Sequence, residues 1–244
     1  MTDVTPVEAP PPSNSFSRII GIFFSPNQTF QDIARKPDWL VPALLIVLVS
    51  VVVVVIMVPR IDFDATYREA FEAQGMSAQQ QDQALRIASA FGRASMYVSP
   101  LFAIGWMAVL ALIYFLGVRM LGGAATFMQT FSVVLYSGMP RVLKALITIP
   151  VLLSKHGLRL QEIETVLRSN LGFLANPKTQ PMLFAVLAGL DVFTIWGLIL
   201  TVIGLAAVSK LSKAKTAAIV IVVACLGLLL RIGGAAMQTL RAHK

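Results

Sequence analysis

Five apolar runs, at residues 39–58, 96–118, 127–153, 182–208 and 216–236, decide what solvent this chain can fold in. A hydrocarbon core about 30 Å thick is crossed by about 20 helical residues rising about 1.5 Å each. The first four runs reach that length. The fifth reaches it if Arg231 snorkels and residues 232–236 complete the crossing. Lipid offers no partner to a backbone N–H or C=O, so each run must satisfy its own as a helix. The fold class is therefore all-α: a polytopic membrane protein with a five-span transmembrane helical bundle. Composition agrees, at 57% hydrophobic residues against the roughly 45–50% of a soluble domain.

Residues 1–15, MTDVTPVEAPPPSNS, have too few bulky apolar side chains to offset the entropy of ordering and read as a disordered tail. They lack the basic start and early apolar core of a secretory signal, so the first span is expected to be an uncleaved anchor and not a removed peptide. In residues 16–38, Phe16, Ile19, Ile20, Phe23 and Phe24 recur at helical spacing, and Phe30 and Ile33 follow after Ser25 and Pro26. That pattern predicts an interfacial amphipathic segment lying in the headgroup layer, with Trp39 marking the interface. Residues 237–244 form a short tail.

Two longer polar stretches separate the spans. Ser77 and Gln80 make a capping box ahead of Ala84, Leu85, Ala88 and Phe91, and Leu160, Ile163, Val166, Leu167 and Leu171 share a helical face further on. Both stretches are expected to fold back on the membrane or on each other. The short connection between spans four and five carries Lys210, Lys213 and Lys215 without an acid, which places it and the N-terminus in the cytoplasm. In a bacterium the membrane would be the inner, cell membrane.

The net charge of +8 does not point to nucleic acid, because Lys and Arg are scattered among apolar blocks with no basic face of interleaved aromatics. Anionic lipid headgroups fit that charge better. Cys225 sits in an apolar run and reads as a small buried hydrophobe. Catalytic patterns are missing: His156 and His243 form no HExxH zinc motif, and no nucleophile turn, P-loop or dinucleotide fingerprint occurs. The expectation is a non-enzymatic protein with no cofactor and no metal.

The informative polar residues lie in spans three and four. Thr130, Ser137, Arg141, Lys144 and Thr148 recur along one stripe of a continuous helix, and Asp191 is the acid of span four. A charge at mid-membrane costs about 2.5–3.5 kcal/mol even on the mildest scale, so these groups need partners or water. With spans three and four antiparallel, Arg141 and Asp191 both fall near the midplane and are expected to pair. Three readings stay open: a pair that fixes helix register, a site for an anion that uses the surplus charge of Lys144, and snorkelling to headgroups. Pro140 is expected to kink span three. Ala185 and Gly189, with Gly197 and Gly204, are read as helix-packing positions, and Trp106 and Trp196 as fillers between helices.

Three stretches, SPNQTFQDIARKPDWLVPALL, LGGAATFMQTFSVVLYSGMPRVLKALI and LDVFTIWGLILTVIGLAAVSKLSKAKT, resemble the bacterial branch of the YIP family of Ypt-interacting membrane proteins. The resemblance implies a five-span helical protein with a cytoplasmic N-terminus. Eukaryotic members are associated with Rab-type GTPases and carry an Asp-Leu-Tyr-Gly-Pro motif. That motif is absent here, so the GTPase role is not carried over. The function expected is that of a scaffold or accessory protein organising lipids or partner membrane proteins, its partners being membrane lipids and another membrane protein or a second copy. The rival is a transporter or transporter subunit with an anion site around Arg141, Lys144 and Asp191.

Overall fold

In the computed structural model, which describes residues 14–177 and 179–242, five helices are long and apolar enough to cross a membrane. Most of the stretch read as a disordered tail lies outside the described residues. Asn14 caps the first helix, α1 (Ser15–Phe24), by accepting a hydrogen bond from the Ser17 N–H at 2.8 Å. Pro26 then opens α2 (Pro26–Arg35), where its missing N–H costs no helical bond.

These two helices dock on the bundle. Ile22, Phe30 and Ile33 have no exposed surface and belong to the main core. The lipid-facing stripe expected on α1 is split: Ile19 and Phe23 pack inward with Ile22, whereas Phe16, Ile20 and Phe24 point outward. The rotation that produces this split also buries Arg18, which binds groups on the bundle side.

The first span is α3 (Leu40–Met57), extended by a 3-10 turn at Val58–Arg60. Next comes α4 (Phe63–Ala73), then α5 (Ala78–Met120), whose capping box is made by Ser77 and Gln80. The polar stretch before span two and the span itself form this one helix of 43 residues, about 64 Å long and twice the membrane thickness. Pro100 lies inside it and leaves the Met96 carbonyl without its usual donor. The Ser99 hydroxyl supplies one instead at 2.8 Å, so the helix continues.

The third span consists of α6 (Phe127–Ser137) and α7 (Met139–Leu153), broken at Gly138. Pro140 has no N–H for the Tyr136 carbonyl four residues back, which accounts for a break at this point. Residues 130–137 are all buried, making α6 the centre of the bundle, packed on α2, α3, α5 and the fourth span.

Residues 182–208, read as one span, form two helices, α8 (Pro181–Gly189) and α9 (Val192–Ser209). The break follows from Asp191, whose side chain accepts from the Thr194 N–H at 3.1 Å and so favours a new helix start over continuation. The last helix, α10 (Lys213–Ala242), runs through most of the stretch read as a C-terminal tail.

Backbone contacts sort the connections into two ends. The Gln129 side-chain amide donates to the Ala34 carbonyl at 2.8 Å, and the Ala124 N–H to the Ser209 carbonyl at 3.0 Å. The N-terminal helices, loop 121–126 and loop 210–212 therefore share one end. At the other end the polar stretches fold on each other: the Asp62 N–H donates to the Leu158 carbonyl, the Leu158 N–H to the Arg60 carbonyl, and Arg159 pairs with Glu69. Val54, Met57, Val58, Ile61, Phe63, Leu152 and Leu158 form a second core there. The helical face expected in residues 154–181 is replaced by 3-10 turns at Leu160–Thr165 and Leu171–Leu174.

Two further expectations are corrected. Cys225 is exposed, because α10 lies at the edge of the bundle with little of its span buried. Trp106 is 66% exposed and fills no space between helices, whereas Trp196 packs edge-on against Phe23 at 5.4 Å.

Candidate functional site

Asp191 is 3% exposed and hydrogen-bonded through both carboxylate oxygens. Its Oδ2 accepts from Lys144 Nζ at 2.7 Å and from the Ser169 hydroxyl at 2.5 Å, while Oδ1 accepts from the Thr194 N–H. The expected partner, Arg141, is not there. Because the break at Leu190 puts Asp191 at the start of α9, the carboxylate stands near the end of the span, and Lys144, three residues further along α7, reaches it. The Val192 N–H donates to the Ser169 carbonyl at 3.0 Å, so this group ties α7, the stretch before α8, and α9 together.

Arg141 is exposed and lines a separate cleft between α5, the α6–α7 break and α9. Its neighbours there are Trp106, Tyr114, Ser137, Thr194 and Thr201, and the cleft has a volume of about 70 Å³. Ser137 is 4% exposed, and its hydroxyl has no hydrogen-bond partner. Pro140 is buried beside it, and Thr130 and Thr148 donate to carbonyls one turn back on their own helices. The polar stripe thus divides into a satisfied charge pair at Lys144 and an unmatched cation at Arg141.

The small residues allow these helices to approach closely. A Cβ on Gly197 would lie 2.9 Å from the Ser137 carbonyl oxygen, and one on Gly204 would lie 2.6 Å from Val133 Cγ1 and 2.7 Å from the Phe30 ring. Gly204 is therefore where α2 lodges against α6 and α9. Gly189 faces Leu228 of α10 at an ordinary contact distance, and Ala185 is buried.

A second buried polar group escaped the sequence reading. Arg18, 2% exposed, donates to Asp38 Oδ1 at 2.6 Å and to the Lys36 and Asp32 carbonyls, and the Tyr136 hydroxyl donates to Asp38 Oδ2 at 2.8 Å. This network fastens α1 to α6 through the link before α3. The available signal was an Arg set inside the apolar stretch of α1 with an Asp immediately before Trp39.

The sequence model of the Yip1 domain family matches residues 20–233, from the second half of α1 through four spans and most of the fifth. No curated protein matches the chain. No solved structure does either.

Proposed function

The chain belongs to the Yip1 domain family, and from that premise we propose that it is a non-enzymatic scaffold or accessory protein that organises lipids or partner membrane proteins. The observation that carries this reading is the saturation of Asp191. Its carboxylate is held by Lys144, Ser169 and the Thr194 N–H, which suits a fastening that fixes helix register better than a solute site that must load and release. The cleft beside Arg141, at about 70 Å³, is also small beside the roughly 300–1,000 Å³ of drug-sized ligand pockets.

The docked α1 carries the lipid side of this role. Phe16, Ile20 and Phe24 point away from the bundle and enter the headgroup layer, while the inward face anchors the helix to the protein. The end bearing Arg35, Lys36, Arg119, Lys210, Lys213 and Lys215 faces the cytoplasm. At the opposite end, basic residues alternate with Asp62, Asp64, Glu69, Glu162 and Glu164. In a bacterial cell the host membrane is the inner one.

Two measurements test the proposal. Purified protein in liposomes should move no anion, and protein drawn gently from native membrane should carry a lipid or protein partner at fixed stoichiometry. Catalysed anion flux would sink the scaffold reading. For orientation, single cysteines at Gln80 and at Lys213 are placed in a Cys225→Ser background. An impermeant thiol reagent applied to intact cells should label the first alone, and the reverse pattern would invert the topology.

A further inference from the structure

Arg141 is fifteenth of the 27 residues in Phe127–Leu153, within the third span, and it is exposed. Among the described residues no carboxylate pairs with it. Lys144, one turn further along α7, reaches Asp191 at the start of α9, so Arg141 lies about one helical turn inside that end of the bundle, where a charge facing hydrocarbon is costly. The cleft thus holds a cation that lacks an acceptor carrying negative charge.

The volume of about 70 Å³ admits a carboxylate. The occupant is not a second copy of this chain. The five apolar runs contain a single acid, Asp191, which is buried and bound to Lys144. Along the cleft, the exposed Trp106 of α5 provides an apolar wall against which a helix can lie.

We infer that Arg141 is the docking point for a transmembrane helix of a different membrane protein, one carrying an Asp or Glu within its span at the depth of Arg141. The incoming carboxylate accepts from the guanidinium, and its helix packs on Trp106. This rests on the scaffold reading and narrows it to a partner of stated chemistry.

The test uses the full chain in native membranes, with a photoreactive phenylalanine analogue at Trp106. Illumination should give an adduct with one protein whose transmembrane segment contains an Asp or Glu. Arg141→Met should reduce that adduct at least about tenfold, and Arg141→Lys should keep most of it. Exchanging the charges, with Arg141→Asp here and Lys in place of the partner's acid, should restore it. Arg141→Met removes a charge from lipid, so the isolated variant should be at least as heat-stable as the wild type, and loss of the adduct then reports lost pairing. An adduct that survives Arg141→Met, or a partner with no intramembrane acid, overturns the inference and leaves the scaffold reading standing. Adducts with lipid alone overturn it in favour of a phosphate-bearing headgroup or water in the cleft. Absence of any lipid or protein partner in wild-type preparations removes the scaffold reading itself.

Discussion

A double-mutant cycle on Lys144 and Asp191 tests which cation holds the buried acid. Lys144→Met strands a carboxylate that is 3% exposed, with the Ser169 hydroxyl and the Thr194 N–H as its remaining donors. Removing one partner of a buried pair costs about 3–5 kcal/mol, and the two surviving bonds put this case at the lower end, about 3. Asp191→Leu removes the cap of α9 and the acceptor for the Ser169 hydroxyl, each worth about 1 kcal/mol, and leaves Lys144 without its partner at little further cost. The lysine side chain keeps 28% exposure and can swing outward, so the total for this variant is about 2 kcal/mol. The double variant strands no charge and loses the cap and the acceptor for Ser169, again about 2 kcal/mol. The coupling is then about 3 kcal/mol, at the upper end of what contacting residues show. Arg141→Met combined with Asp191→Leu should instead be additive within about 0.5 kcal/mol. Reversible unfolding in mixed detergent micelles measures all of these. Additive Lys144 and Asp191 changes, or a larger coupling between Arg141 and Asp191, would refute the assignment of Lys144 as partner and with it the placement of Asp191 at the start of α9.

Gly204→Val should destabilise the protein by about 2–3 kcal/mol and release the docked helices, because even the first added carbon meets Val133 and the Phe30 ring; protease cleavage within residues 16–38 reports the release, and resistance equal to wild type would contradict the packing. Tyr136→Phe should cost about 1–2 kcal/mol by depriving Asp38 of a donor, and Arg18→Met should cost more because it leaves that carboxylate without its cation; equal losses from the two would show that the pair is not the stronger element. Lys210 caps α9 in the left-handed region at φ 61°, where a side chain is strained, so Lys210→Gly should raise the unfolding free energy by about 0.5–1 kcal/mol, and a loss would show that Lys210 makes a compensating contact.

What the sequence determined by itself is whatever depends on local and additive properties. Length and hydropathy place five helices in lipid, since burial of an apolar run in hydrocarbon needs no knowledge of its neighbours. The Ser77–Gln80 capping box and the Pro140 interruption are likewise decided within one turn of chain. Gly197 and Gly204 are legible as packing positions, although the neighbours they admit are not. Tertiary structure alone decided how each helix is rotated and where a run is cut. Spacing on a continuous helix put Arg141 and Asp191 at the same depth; the break at Leu190 makes Asp191 the cap of α9, and the carboxylate goes to Lys144. The apolar residues of α1 satisfy an interfacial pattern and a docked pattern equally, and in the docked arrangement Ile22 enters the core while Arg18 bonds to Asp38, 20 residues away in sequence. Charge pairing inside a bundle is settled by distances of a few ångströms between segments far apart in the chain, because electrostatic energy in a low dielectric falls steeply with that distance while helical periodicity leaves it undetermined.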